Sequence, residues 1–373
     1  MPEETIYEHL QKEGVSRRDF LKMCGMLAGV MGLGQLPPFE RGDVPADLGA
    51  VTAQQVARAL ETKPRVPVIW LEFQDCAGCT EALSRSQSPT LIDLVLNVIS
   101  VEYHETLTAA AGFQTEANKD AVMEQYRGQY VLVVEGSIPA GENGAYCTIG
   151  GRSALDLLKE AADGAAAIIA TGNCAAFGGL PKANPNPTGA KGVWEIITDK
   201  PVLNIPGCPA IPEVFTGSVA HFVVFGALPE LDSLNRPMPF YGHTIHDRCL
   251  RRPFYEAGKF AGSFDDEGAR QGWCLYKLGC KGPTTYNACA VMKWDQGLSF
   301  PVQSGHPCLG CSEPNFWDGG GFYQGQSAPL TRPEVTMVGA AAAAGAVAGA
   351  AVSSLGRAQK KKQDDAEPAE DEN

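Results

Sequence analysis

The chain has 373 residues, 44% of them hydrophobic, enough for two modest domains with cores of their own. Its formal net charge of −13 argues against nucleic acid as a partner, because neutralising phosphates needs clustered Lys and Arg. Twelve cysteines leave a disulfide framework, scattered buried thiols or metal ligation as readings. A chain this long does not need disulfides in place of a core, so spacing decides among them.

Residues 1–50 read as a detachable address. Ser16-Arg17-Arg18-Asp19-Phe20-Leu21-Lys22 precedes an apolar stretch from Met23 to Leu36, the pattern of a twin-arginine export signal. The stretch is short for a membrane span. Ala46, Ala50 and Ala53 offer small residues for cleavage near Ala50 or Ala53, and Cys24 would leave with the signal. This route exports proteins already folded, so metal groups are inserted before the chain meets an oxidising compartment. That weakens the disulfide reading.

Residues 51–236 read as an α/β domain. Val66–Phe73, Leu94–Val101, Tyr130–Glu135, Ala165–Thr171 and Val202–Ile205 are short apolar runs expected as buried strands. Asn118–Arg127 and Gly151–Asp163 are expected helices between them, and such alternation predicts a doubly wound parallel sheet. Cys76 and Cys79 follow the first strand, Cys174 the fourth and Cys208 the fifth. Parallel strands deliver these thiols, with Glu135, to one carboxyl-terminal rim, where open α/β sheets bind ligands. Four such thiolates suit a 4Fe–4S cluster. A four-cysteine zinc site is the rival, although zinc sites more often use two C-x2-C pairs and this domain has one.

Beyond Pro237 the strand pattern fades into a Gly-, Pro- and Cys-rich segment, 237–330, with little core and a need for a cofactor to order it. Its candidate ligands are His246-x2-Cys249, Cys274-x5-Cys280, Cys289 and Cys308-x2-Cys311. A lone His246 would ordinarily be a surface histidine.

Four segments of the first domain, Asp75–Glu81, Val134–Pro139, Ala170–Ala175 and Ile205–Pro209, resemble the small subunits of nickel–iron hydrogenases. So do His246–Cys249, Gly272–Pro283 and Pro301–Cys311, and the resemblance covers about Arg65 to Trp317. It implies a flavodoxin-like first domain holding a proximal 4Fe–4S cluster on Cys76, Cys79, Cys174 and Cys208. It implies a distal 4Fe–4S cluster on His246, Cys249, Cys274 and Cys280, and a medial 3Fe–4S cluster on Cys289, Cys308 and Cys311. Pro301 stands where four-iron relatives place a cysteine. Oxygen-tolerant members add two cysteines around the proximal cluster, and Gly78 and Gly179 occupy the matching positions here, implying the standard, oxygen-sensitive type. Once Cys24 leaves, only Cys147 is spare, read as a structural thiol.

The resemblance implies a partner large subunit carrying the NiFe centre, and no residue here reads as a catalytic acid or base. The acceptor implied is a membrane cytochrome b, an iron–sulfur partner feeding quinone, or a cytochrome c. Glu72, Asp75 and Glu81 are candidates for assisting proton exit, weighed against helix caps or bonds to the cluster loop. Val335 to Leu355 is uncharged and long enough for one crossing, with Arg357 and Lys360–Lys362 beyond it. A span at 335–356 would anchor the protein on the periplasmic side, whereas the alternative is a low-complexity tail; 357–373 is a charged tail. The rival functions are a complex I-like cluster subunit, which shares only the first domain, a freestanding iron–sulfur carrier, and a disulfide-linked exported protein.

Overall fold

Residues 67–72 are buried on both faces of the strand that opens the central sheet, which is why they read as one apolar run rather than an alternation. In the computed structural model, residues 4–33, 52–86, 89–295, 297–320 and 322–324 are described. The helices α1 (Ile6–Lys12), α2 (Arg17–Leu33) and α3 (Ala53–Leu60) lead into β1 (Val66–Glu72), followed by α4 (Gly78–Ser84) and α5 (Leu91–Asn97). Next come β2 (Ile99–His104), α6 (Gly112–Gln125), β3 (Val131–Glu135) and the two-residue strands β4 (Ile138–Pro139), β5 (Thr148–Ile149) and β6 (Arg152–Ser153). After α7 (Ala154–Asp163), β7 (Ala167–Thr171), α8 (Gly172–Phe177), α9 (Gly179–Lys182) and β8 (Ala190–Lys191), the first layer closes with β9 (Val202–Ile205) and α10 (Pro212–Phe225).

The main sheet is parallel in the order β2-β1-β3-β7-β9. Among its five strands this is a 2-1-3-4-5 sequence, the doubly wound flavodoxin-like order. Alternate residues feed two cores. Val68, Trp70, Val133, Ile169 and Leu203 face α2, α3 and α10, while Ile69, Leu71, Leu132, Val134 and Ile168 face α6 and α7. Pro212 at the first turn and Gly226 (φ +70°) just past the end bound α10. That helix is apolar almost all round because it lies buried between sheet and leader.

Two expectations shift. The run Leu94–Val101 is not one strand: Thr90 accepts from the backbone N–H of Asp93, whose carboxylate reaches back to Thr90, and this capping box starts α5. The strand begins only at Ile99. An apolar run by itself does not separate helix from strand. The helix expected from Gly151 begins at Ala154, because residues 148–153 form a tight hairpin with Gly150 and Gly151 at positive φ.

The leader is packed rather than free among the described residues. Phe20, Cys24, Leu27, Val30 and Met31 on α2 are buried against α3 and α10. Gly217 on α10 permits this approach, since a Cβ there would stand 2.8 Å from Val30 Cγ1.

From Met238 onward the described residues form short helices, α11 (Met238–Tyr241), α12 (Arg252–Glu256), α13 (Glu267–Arg270) and α14 (Cys289–Met292), joined by turns. Their core is small, built on Ile245, Ala261, Leu275, Leu278, Phe300 and Val302. Both cysteine-bearing segments belong to one compact unit, Met1–Gln326. The 335–356 segment and the charged tail lie outside the described residues. Among the described residues no helix is long and apolar enough to cross a membrane.

Candidate iron–sulfur sites

The parallel sheet carries the first four cysteines to one rim. Cys76 and Cys79 follow β1, Cys174 lies on α8 immediately after β7, and Cys208 follows β9. Burial, then Glu135, then Cys174 and Cys208 nearby oppose ionisation of the Cys79 thiol. Cys174 is pushed to about 12, by burial and then by Cys208; Cys208 rises to about 11 through burial, Cys311 and Cys76. The four expected residues therefore stand together.

The backbone around them is shaped for sulfur. A Cβ on Gly172 (φ +82°) would fall 2.4 Å from Cys79 Sγ, and one on Gly179 (φ +53°) 2.5 Å from Cys174 Sγ. A Cβ on Gly78 would lie 3.1 Å from Cys76 Sγ. Gly179 is thus held as glycine by close approach and by a left-handed backbone, whereas at Gly78 a Cβ needs the Cys76 sulfur to give by a few tenths of an ångström. Glu135, buried at the end of β3, accepts from the Cys79 N–H (2.9 Å), the Thr80 N–H (3.1 Å) and the Thr80 hydroxyl (2.6 Å). It fixes the Cys76–Cys79 loop from beneath.

The second group also converges. His246, Cys249, Cys274 and Cys280 line one enclosed pocket with Arg251 and Tyr276. Burial and then the Tyr276 N–H, Cys280 and Cys249 act on Cys274, which is raised to about 11. Arg251, itself buried, donates from its backbone N–H to Cys249 Sγ at 3.4 Å. Its guanidinium reaches the carbonyls of Val302 (2.9 Å) and Trp273 (2.8 Å).

Cys289, Cys308 and Cys311 line a cavity of about 470 Å³ together with Pro301, Phe300 and Cys208. Burial and then Cys311 raise Cys289 to about 12. Here the three groups connect. Cys208 of the first group lines the same cavity as Cys311 of the third, which acts on its thiol, and the Cys308 N–H donates to Cys280 Sγ of the second at 3.3 Å. The order in space is first, third, second.

Burial favours the neutral thiol at Cys79, Cys174, Cys274 and Cys289. Metal would have to displace those protons, since thiolates are the ligating form. Among the described residues no three or more His, Cys, Asp or Glu side chains stand close enough to share a single ion.

Of the acidic candidates, Glu81 is exposed and paired with Arg85 at 2.7 Å, a helix-surface role. Asp75 accepts from the Ala77 N–H of the cluster loop at 3.2 Å. Glu72 is buried, with a His104 ring nitrogen 3.5 Å away and Thr106 beside it. Burial first, then Glu135 and Asp75, hold its carboxyl up to about 7. Cys147 is half-buried against the α6–α7 side of the sheet, a structural placement.

Sequence reasoning missed the residues that tie the groups together. Asn173 donates from Nδ2 to the carbonyls of Cys311 (2.9 Å) and Glu313 (3.1 Å), across from α8 to the medial segment. Lys281, almost fully buried, donates its N–H to the Cys308 carbonyl at 2.8 Å and its ammonium to Gly320 O at 3.2 Å. Their only signal was adjacency to Cys174 and Cys280, and adjacency carries no direction.

A family model for the C-terminal part of NiFe/NiFeSe hydrogenase small subunits matches residues 241–324. The model for the 20 kDa subunit of NADH ubiquinone oxidoreductase matches 76–222. The uptake hydrogenase small subunit of Afipia carboxidovorans is 49% identical, over 97% of this chain and 96% of its own length. That of Azotobacter vinelandii is 46% identical over 96% and 98%. The solved NiFeSe hydrogenase of Desulfovibrio vulgaris Hildenborough superposes at a TM-score of 0.65 with 39% identity, covering 70% of this chain and 99% of the other. With the three thiol groups in this order on this fold, the chain belongs to the small-subunit family of nickel–iron hydrogenases.

Proposed function

We propose that this chain carries electrons from hydrogen oxidation at a NiFe large subunit through three iron–sulfur clusters to a membrane acceptor, a quinone-linked partner or cytochrome b. The observation that carries this is the contiguity of the thiol groups, with Cys208 and Cys311 lining one cavity and the Cys308 N–H donating to Cys280 Sγ at 3.3 Å. Tunnelling falls steeply with distance, so three neighbouring sites replace one long jump with short ones. Cys76, Cys79, Cys174 and Cys208 hold a proximal 4Fe–4S cluster, Cys289, Cys308 and Cys311 a medial 3Fe–4S cluster, and His246, Cys249, Cys274 and Cys280 a distal 4Fe–4S cluster. Bound there, such clusters supply one-electron carriers tuned by ligand type, hydrogen bonding and burial.

The chain's own residues do the rest. Glu135 and Asp75 hold the proximal loop, Arg251 holds the distal one, and Asn173 and Lys281 keep the three sites in register. Cys76 and Cys208 are exposed in this chain alone, which supports a large subunit covering the proximal end. Glycine at 78 and 179 supports the standard, oxygen-sensitive type. Export by the twin-arginine route to the periplasmic side is supported by Arg17 and Arg18, both exposed on α2. Anchoring is supported by the uncharged run before Arg357.

The test is low-temperature EPR of the purified complex, oxidised and then hydrogen-treated, with iron and nickel analysis. A three-iron signal that disappears under hydrogen, with nickel in a larger partner, is the expected result. Iron signals without nickel or hydrogen response would reduce the chain to a freestanding carrier, and zinc or disulfides without iron would sink the reading. Replacing Arg17 and Arg18 by Lys should leave the protein in the cytoplasmic fraction, and removing residues from 335 onward should release it from membranes.

A further inference from the structure

Around His246 the chain builds an aromatic frame that the cluster reading leaves unused. The Tyr255 ring stands edge-to-face against the His246 imidazole, with centroids 4.6 Å apart and planes at 78°. Tyr255 is itself held between Phe260 (5.7 Å, 89°) and Tyr276 (5.6 Å, 84°). We propose that Tyr255 is a positioning residue for the distal site, setting the plane of the His246 imidazole. This inference rests on the reading of His246 as a cluster ligand.

The frame is fastened to the other distal residues by backbone. Residues 259–261 pair with Cys274, the Cys274 N–H donating to Lys259 O at 3.2 Å and the Ala261 N–H to Cys274 O at 3.0 Å. Tyr276 follows Cys274 by two residues in the same turn. On the other side, α12, which carries Tyr255, is tied down where it starts. The Arg252 N–H donates to Cys249 O at 3.0 Å, and its guanidinium to Asp247 O at 3.3 Å. His246, Cys249 and Cys274 are thereby linked through one box of rings.

A histidine needs such a frame more than a cysteine does. Rotation about its second side-chain torsion is broad, and the ring plane decides how a nitrogen lone pair meets a metal. Second-layer contacts that fix ring orientation tune the metal they serve. Edge-to-face packing is directional, so it transmits orientation where plain apolar contact would not. His246 lies on a single 3-10 turn, His246–Arg248, with no side-chain cap, so the local backbone adds little restraint.

The experiment compares Tyr255→Leu and Tyr255→Phe in the intact hydrogenase complex. The readouts are iron per complex, the imidazole-nitrogen hyperfine coupling of the reduced distal cluster, and its midpoint potential. Tyr255→Leu should alter the coupling and shift the potential at unchanged iron content, while Tyr255→Phe, which keeps the ring, reproduces the parent on both. Should the Leu variant lose iron, Tyr255→Met takes its place as a longer, more adaptable ring-less replacement of similar volume. Parent-like coupling and potential in the ring-less variant would overturn the proposal. So would a Phe variant that behaves like Leu, because the hydroxyl and not the ring would then matter. Absence of nitrogen coupling in the parent itself would sink the ligand reading of His246, and this inference with it.

Discussion

Glu135 sits beneath the Cys76–Cys79 loop beside the proximal thiols, and its bonds run to two backbone N–H groups and the Thr80 hydroxyl rather than to another charge. Replacing it with Gln keeps the shape but turns an amide N–H₂ towards the Cys79 and Thr80 donors. Leaving buried donors unmatched costs about 1–3 kcal/mol. Glu135→Gln is therefore expected to lower the thermal midpoint and to lose proximal iron before medial iron, read by EPR and iron content. Intact proximal loading at an unchanged midpoint would show that the loop holds itself.

Glu72 gives a pH prediction at the same scale. Burial, then Glu135 and Asp75, hold its folded carboxyl up to about 7, whereas the unfolded carboxyl titrates near about 4.3. The folded chain thus keeps a proton that the unfolded chain has released between those values. Its contribution is favourable below that window and is lost as pH rises through it. His104, 3.5 Å away, does not offset this, because burial holds it neutral with its own value lowered to about 4. Denaturant unfolding of the complex at pH 5 and pH 8 should show Glu72→Gln with a smaller loss of stability than the parent; parallel slopes would exclude Glu72.

Among the elements, the turn after Phe300 carries the sharpest prediction. Pro301 lines the medial cavity beside Cys289, Cys308 and Cys311, so Pro301→Cys adds a fourth thiol to a ring of three. A four-iron medial cluster takes four such ligands. The oxidised three-iron EPR signal should vanish while iron rises by about one atom per complex, as a fourth ligand implies. Persistence of that signal would mean that the new thiol does not reach the cluster. Legibility was uneven at this scale. β1, β3 and β9 were readable because buried parallel strands are uniformly apolar, and residues 202–205 were placed to the residue. Residues 94–97 were misread because the capping box of Thr90 and Asp93, outside the apolar run, chose the helix.

For the whole molecule the decisive contacts join the flavodoxin-like layer to the cysteine-rich segment. Asn173 donates two hydrogen bonds across that seam. Arg236, buried between Asp232 (2.8 Å) and Glu313 (3.0 Å), reinforces it, and the Tyr241 hydroxyl reaches Pro206 O at 2.7 Å. Asn173→Ala should cost about 1–3 kcal/mol. It should also slow hydrogen-driven reduction of the distal cluster relative to the proximal one in rapid-freeze EPR; equal delays at all clusters would place the defect elsewhere.

From the sequence alone came the alternation of apolar runs and helices that implies a doubly wound parallel sheet, and the placing of Cys76, Cys79, Cys174 and Cys208 after its strands; the eleven expected ligands came from the resemblance of the motifs to hydrogenase small subunits. The first two follow from local rules, strand periodicity and parallel winding. Only the tertiary structure decided that Cys208 meets Cys311 and that Cys308 meets Cys280, because those pairs join segments with no shared period. It also decided that Asn173, Lys281 and Arg236 hold the three sites together, and that α2 lies buried on α10. Each of these depends on the direction in which a side chain leaves a folded surface, and a one-dimensional pattern does not encode that direction.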